Sequence, residues 1–202
     1  MKKPGIIYRG VIVLVRFFMK LWYNIKVEGR ENVPKEGCVL ASNHRTNADP
    51  PLLAICAGTY KYAFVAKEEL FKNRFFGWLI RKLGAFPVSR GKGDMKVIDD
   101  AVSKVNDGDK LIIFPEGTRS KDGKVGKGKS GVAYIAAKAG APVVPVGIVF
   151  EGKLKFRRKI TVKFGKAISP DELKLSEERS SSELKAIKSR IMGDITALVE
   201  GE

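Results

Sequence analysis

Short apolar runs alternate with helical patterns from residue 38 to the C-terminus, and no other feature limits the architecture as much. Cys38–Ala41, Tyr60–Ala66, Ala85–Ser89, Leu111–Phe114, Pro142–Phe150 and Ile160–Phe164 are short, apolar or alternating, and bounded by turn residues, so they read as strands. Helical patterns separate them: one opening at Asp49-Pro50, Phe75–Leu83, a segment after Asp94, a small-residue stretch capped by Ser130, and an amphipathic stretch over Ser180–Val199. Such alternation predicts an α/β fold, a single-domain sandwich with a mainly parallel mixed sheet flanked by helices. At 202 residues and 44% apolar content the chain can bury one such core.

The N-terminal stretch needs its own account. Gly5–Trp22 is very apolar but is interrupted by Arg9, Arg16 and Lys20, so no uncharged run reaches the roughly 18–20 residues of a membrane span. It also lacks the small-residue cleavage site of a signal peptide. On a helical wheel the three cations form one stripe, and no acidic residue precedes Glu28. The pattern predicts a helix lying in the membrane interface with its cations toward anionic headgroups. The expected division is therefore 1–27, an interface helix, and 28–202, the folded domain. The plainer alternative is an N-terminal helix packed on that domain.

The formal charge is +16, with 38 Lys and Arg against 22 Asp and Glu, so an anionic partner is expected. Cys38 and Cys56 sit in apolar runs without C-x-x-C spacing and read as small buried hydrophobes. With a single histidine in the chain, a zinc site is not expected, and no metal or cofactor is predicted.

That histidine, His44, follows the Cys38 run, and Asp49 stands five residues on, ahead of Pro50-Pro51. An Asp followed by Pro predicts an Asx-capped helix start. An imidazole that meets a carboxylate is held in one tautomer, with its other nitrogen free to take a proton. This is half of a catalytic triad without an obvious serine or cysteine. On these residues alone two plainer readings stay open: Asp49 only caps a helix, or Cys38 pairs with His44 as a nucleophile.

The Leu111 strand ends in Phe114-Pro115-Glu116-Gly117-Thr118-Arg119-Ser120. Ligands of α/β sheets gather at such strand ends. Gly117, Thr118 and Ser120 offer donors, and Arg119 can grip a phosphate with two parallel hydrogen bonds.

Asn43–Asp49 (NHRTNAD) and FPEGTRS resemble the first and third sequence blocks of the glycerolipid acyltransferases, in the 1-acylglycerol-3-phosphate (lysophosphatidic acid) acyltransferase branch. Gly84–Arg90 resembles the second block, with Ser89 where an acidic residue often stands, and Val143–Val146 the proline-centred fourth. The resemblance implies that His44 is a general base oriented by Asp49. It carries Glu116, Gly117, Thr118 and Arg119 over to an acceptor-phosphate site, with Arg90 as a further cation and Lys67 as another phosphate candidate. It also implies lysophosphatidic acid as acceptor and an acyl-carrier protein or acyl-coenzyme A thioester as donor. The expected location is the cytoplasmic face of the cell membrane, peripheral or monotopic on anionic phospholipid.

Two rival readings belong to other classes. Gly123–Ser130 matches the P-loop pattern G-x-x-x-x-G-K-[ST], but the preceding strand is expected to stop at Phe114, too early to run into the first glycine. The segment reads instead as a flexible basic loop in which Lys129 is dispensable for catalysis. A basic nucleic-acid-binding module would interleave aromatics with its lysines, whereas here the aromatics lie in apolar runs, so no nucleic-acid partner is expected.

Overall fold

The structure, a computed structural model, describes residues 6–58, 61–88, 95–152, 156–176 and 180–201. In chain order its elements are helix α1 (Ile6–Trp22), strand β1 (Asn24–Glu28), β2 (Cys38–Ser42), α2 (Asp49–Cys56), β3 (Tyr62–Lys67), α3 (Arg74–Lys82), β4 (Ala85–Val88), α4 (Met95–Asn106), β5 (Lys110–Ile113), α5 (Gly131–Ala139), β6 (Val143–Phe150), β7 (Lys159–Phe164) and α6 (Ser181–Glu200). A 3-10 turn, Glu68–Phe71, joins β3 to α3. One seven-stranded sheet is ordered β1-β7-β6-β2-β5-β3-β4. Every neighbouring pair is parallel except β6 with β7, so β1 and β7 run against the other five strands. The α/β sandwich read from the alternation is the observed fold.

Alternate residues of β2 feed two cores, as the two-residue period of a strand requires. Cys38 and Leu40 pack with Ile12 of α1 and with Leu52, Leu53 and Ile55 of α2. Val39 and Ala41 face the opposite side, with Ala101 of α4, Val132 and Ala136 of α5, and Ile187, Ile191 and Ile195 of α6. Helix α3 lies on the α1–α2 side: its Ile80 packs with Ala66, Ala85 and Phe64, and Phe64 also touches the α1–α2 core. Each fully buried leucine or isoleucine here contributes about 1.5–3 kcal/mol relative to exposure. Pro145 is tolerated inside β6 because its carbonyl accepts the Gly165 N–H at 2.9 Å, so its missing donor faces the point where β7 has just ended.

Several local expectations change. Asn24–Glu28 was not expected as a strand, yet it pairs with β7 along its whole length and straddles the boundary at residue 27. Helix α1 packs on the domain through Ile12, Val15 and Met19. Arg16, expected to face headgroups, turns inward, and its Nη2 donates to Ile55 O at 3.2 Å. The cause is the C-terminus of α2, whose unpaired carbonyls attract a cation. Arg30 does the same from the other side, Nε donating to Cys56 O at 2.7 Å. What α1 leaves outward is the apolar face from Val13 to Trp22. Ser130 precedes α5 in the cap position, but its hydroxyl makes no capping bond. Ser180 caps α6 in a full capping box with Glu183, and Gly140 closes α5 in the left-handed conformation. The cap expected at Asp94 and the cation expected at Arg90 lie outside the described residues. Among the described residues no helix is long and apolar enough to cross a membrane.

Candidate active site

Strand β2 delivers the chain to the carboxyl edge of the sheet, and Asn43 fixes where it leaves. Asn43 is buried, its amide donates to Ile148 O at 3.0 Å, and its carbonyl accepts the Ile148 N–H at 2.8 Å. The side chain therefore pairs with β6 as a backbone unit would, and His44 starts from a fixed point.

Asp49 is the first residue of α2 rather than its cap, which is Ala48. Its carboxylate turns back over the preceding turn. Oδ2 accepts the Arg45 N–H at 2.6 Å, the Thr46 N–H at 2.7 Å and His44 Nδ1–H at 2.8 Å, while Oδ1 accepts the Thr46 hydroxyl at 2.6 Å. The side chain is 0% exposed, and a buried carboxylate is tolerable only with such a full set of donors. A carboxylate accepts and cannot donate, so Nδ1 carries a proton, and in the neutral ring it is Nε2 that keeps the lone pair. The His44 ring stacks on Phe114, centroids 4.1 Å apart at 20°, which removes its remaining freedom. His44 and Asp49 are brought together as the sequence predicts.

The FPEGTRS segment arrives from β5, the strand beside β2. It is fastened to the His44 loop twice. Glu116 Oε1 accepts the main-chain N–H of His44 at 2.9 Å, and the Ser120 N–H donates to His44 O at 2.8 Å. The other oxygen of Glu116 accepts the Gly126 N–H at 3.1 Å. A Cβ on Gly126 would stand 2.8 Å from that oxygen, so glycine is what lets the loop close over the carboxylate. Gly117 adopts φ +70°, a left-handed turn that sends the chain outward, with Thr118 and Arg119 exposed. Burial thus separates the predicted site residues: Glu116 is inside, while Gly117, Thr118 and Arg119 form the rim.

Lys67 ends β3, next to β5, at the same edge of the sheet, and pairs with Glu69 at 3.0 Å on the surface. Such an exposed ion pair is weak and is readily exchanged for another anion. Lys129, expected to be dispensable, lies against Gly117: a Cβ placed there would meet its Nζ at 3.1 Å. No strand enters Gly123, and the Gly126 amide is taken by Glu116, so the segment is not a phosphate-wrapping P-loop. Asn43, Thr46, Phe114 and Lys129 were not singled out for the site from sequence, although the first two stand inside the NHRTNAD block. Among the described residues no group of three His, Cys, Asp or Glu side chains is set to hold a metal.

The chain has counterparts among known proteins. A sequence profile described as Acyltransferase matches residues 24–149, well over half of the chain. The chain belongs to the acyltransferase family. A 1-acyl-sn-glycerol-3-phosphate acyltransferase of Streptococcus pneumoniae is 30% identical over 95% of this acyltransferase and 72% of its own length. A chloroplastic enzyme of the same name from Brassica napus is 35% identical over 68% of the chain, which spans only 43% of that longer protein. The crystal structure of the 1-acyl-sn-glycerophosphate (LPA) acyltransferase PlsC from Thermotoga maritima superposes with a TM-score of 0.68 at 30% identity, covering 98% of this chain and 84% of that one. Neither rival class, nucleotide-binding P-loop protein or nucleic-acid module, finds support here.

Proposed function

We propose that this acyltransferase moves a fatty acyl group from a thioester donor, on acyl-carrier protein or coenzyme A, to the free hydroxyl of 1-acylglycerol 3-phosphate, giving phosphatidic acid. His44 Nε2 takes the hydroxyl proton as the oxygen attacks the thioester carbonyl. The tetrahedral oxyanion collapses, the C–S bond breaks, and the proton passes from His44 to the departing thiolate. A thioester is already activated, so no acyl-enzyme is required, and base catalysis of this kind is worth about 10²–10⁴ in rate. Asp49 keeps Nδ1 protonated and stabilises the imidazolium. Arg119, Lys129 and Lys67, with Arg90, supply positive charge for the acceptor phosphate. Glu116 acts through backbone geometry rather than by touching substrate.

The observation that carries this reading is the 2.8 Å contact between His44 Nδ1 and the buried Asp49, fastened by Glu116 to the Arg119 segment. The net charge of +16 and the apolar face of α1 support a peripheral position on an anionic bilayer. In this reading α1 is the interface element, the sheet from β1 onward with its other helices is the catalytic domain, and the membrane face is the cytoplasmic one. The test is a vesicle assay of lysophosphatidic acid with each donor, using wild type, His44→Ala and Arg119→Ala. His44→Ala should abolish turnover and Arg119→Ala should chiefly weaken acceptor use. Equal activity of all three proteins would refute the assignment.

A further inference from the structure

Among the described residues twelve large apolar side chains are exposed, and ten of them fall in two places. Six lie on α1, from Val13 to Trp22. The other four are Leu70, Phe75, Phe76 and Trp78, on the 3-10 turn and α3. Phe75 is 74% exposed and Trp78 48%, with rings stacked 6.3 Å apart. An isolated exposed aromatic needs no explanation, but a cluster of this size on a helix of nine residues does.

Both places share a second property. No Asp or Glu precedes Glu28. At the second place Glu68 and Glu69 open the 3-10 turn, Glu69 paired with Lys67, and from Leu70 to Gly93 the chain carries Lys72, Arg74, Arg81 and Lys82 and no carboxylate. Apolar side chains rimmed mainly by cations complement one partner, an anionic lipid surface.

The topology puts the two patches on either side of the catalytic pair. Helices α1 and α3 cover the same face of the sheet. Because β1 runs against β2, Trp22 at the end of α1 emerges at the carboxyl edge of β2, β5 and β3, where its ring meets Phe156 edge-on, centroids 5.4 Å apart. Leu70 and Phe75 follow the end of β3 at that same edge. Along it, β2 with His44 stands three strand positions from β1 and two from β3. The strand ends next to the two patches, those of β1 and β3, are therefore about 24 Å apart along the edge, at a strand spacing of ~4.8 Å, with the end of β2 and His44 between them.

We infer that α3 is a second bilayer-contacting element, so that this acyltransferase meets an anionic membrane at two points that bracket the His44 site. This rests on the reading of the acceptor as a bilayer lipid and adds an orientation to it. Two contacts fix how the carboxyl edge faces the lipid, whereas one helix leaves the domain free to swing about it. A lipid acceptor then reaches His44 from the bilayer between the two patches.

The chain carries two tryptophans, Trp22 in one patch and Trp78 in the other. Trp22→Phe leaves Trp78 as sole reporter of α3, and Trp78→Phe leaves Trp22. Each variant is titrated with phosphatidylglycerol-containing vesicles bearing bromine on their acyl chains. Both reporters should shift to the blue and lose most of their emission. Phe75→Ser/Trp78→Ser should bind unbrominated vesicles about tenfold or more weakly than wild type. Quenching of Trp22 alone would overturn the proposal. So would a Trp78 emission already blue-shifted without vesicles and untouched by bromolipid, the signature of a second protein copy covering α3. These readouts do not depend on turnover, so failure here is distinct from failure of the His44 mechanism, which only the activity of His44→Ala tests.

Discussion

Glu116 holds the main chain of His44 rather than its ring, Oε1 accepting the His44 N–H at 2.9 Å while Oε2 accepts the Gly126 N–H at 3.1 Å. Both oxygens of a buried carboxylate are thus spent on backbone donors contributed by two separate loops. Glutamine has the same shape but only one acceptor, and its amide N–H₂ would face a main-chain N–H. Glu116→Gln should cost about 1–3 kcal/mol, a Tm decrease of several degrees, and should lower kcat because His44 loses its anchor. A raised acceptor KM with normal kcat and Tm would instead mean that the carboxylate meets the substrate.

Asp49→Asn tests tautomer control. The amide can donate to His44 Nδ1 and so favour a proton on Nε2, the atom that must be free. It also faces the Arg45 and Thr46 amides with one acceptor fewer. Turnover should fall by about 10²–10⁴-fold, approaching the loss in His44→Ala. The double variant should be little worse than His44→Ala, because the two side chains act as one unit. Additive losses would separate them.

How much of this was legible depends on range. Strands β2, β5 and β6 are buried on both faces and announce themselves as continuous apolar runs, and the four sequence blocks gave the family, which the profile match and the relatives bear out. Strand β1 did not announce itself: five residues alternating at an exposed edge become a strand only by pairing with β7, far along the chain. At Asp49 the residues alone left a helix cap and a histidine partner both open, since the two call for the same residue type, and the family resemblance chose the partner. Glu116 hid its role for a similar reason. Its second partner, Gly126, lies within a segment whose letters spell a nucleotide motif.

Lys129 is the residue whose expected role changes most. As a solvated loop cation it would be dispensable; with its ammonium packed over Gly117, two residues from Arg119, it joins the rim of the site. Lys129→Ala should raise the acceptor KM about tenfold, as a lost charge-assisted contact does, with kcat nearly kept. Magnesium ATP should neither bind nor compete with the acceptor. Tight ATP binding lost in Lys129→Ala would restore the nucleotide reading.

The two cysteines give a test that reports on burial rather than catalysis. Burial pushes the Cys38 thiol up to about 11 and the Cys56 thiol up to about 12, against 9.0 for an ordinary cysteine. At neutral pH both therefore stay protonated, and the thiolate is the nucleophilic form. Cys38→Ala should retain turnover, and iodoacetamide should leave the native protein active, which disposes of a Cys38–His44 nucleophile. The same shifts fix a stability slope. Each folded-state value lies above the unfolded one, so the contribution is complete below pH 9 and is lost as pH rises toward 11 to 12. Over that window the unfolded chain releases protons that the folded chain retains. Denaturant titrations from pH 8 to pH 11 should show unfolding free energy declining with pH, and Cys56→Ala should flatten that decline whatever it does to the absolute value. An unchanged slope in Cys56→Ala, or rapid thiol labelling of the native protein at pH 7.5, would mean that α2 opens to solvent far more readily than its packing under α1 allows.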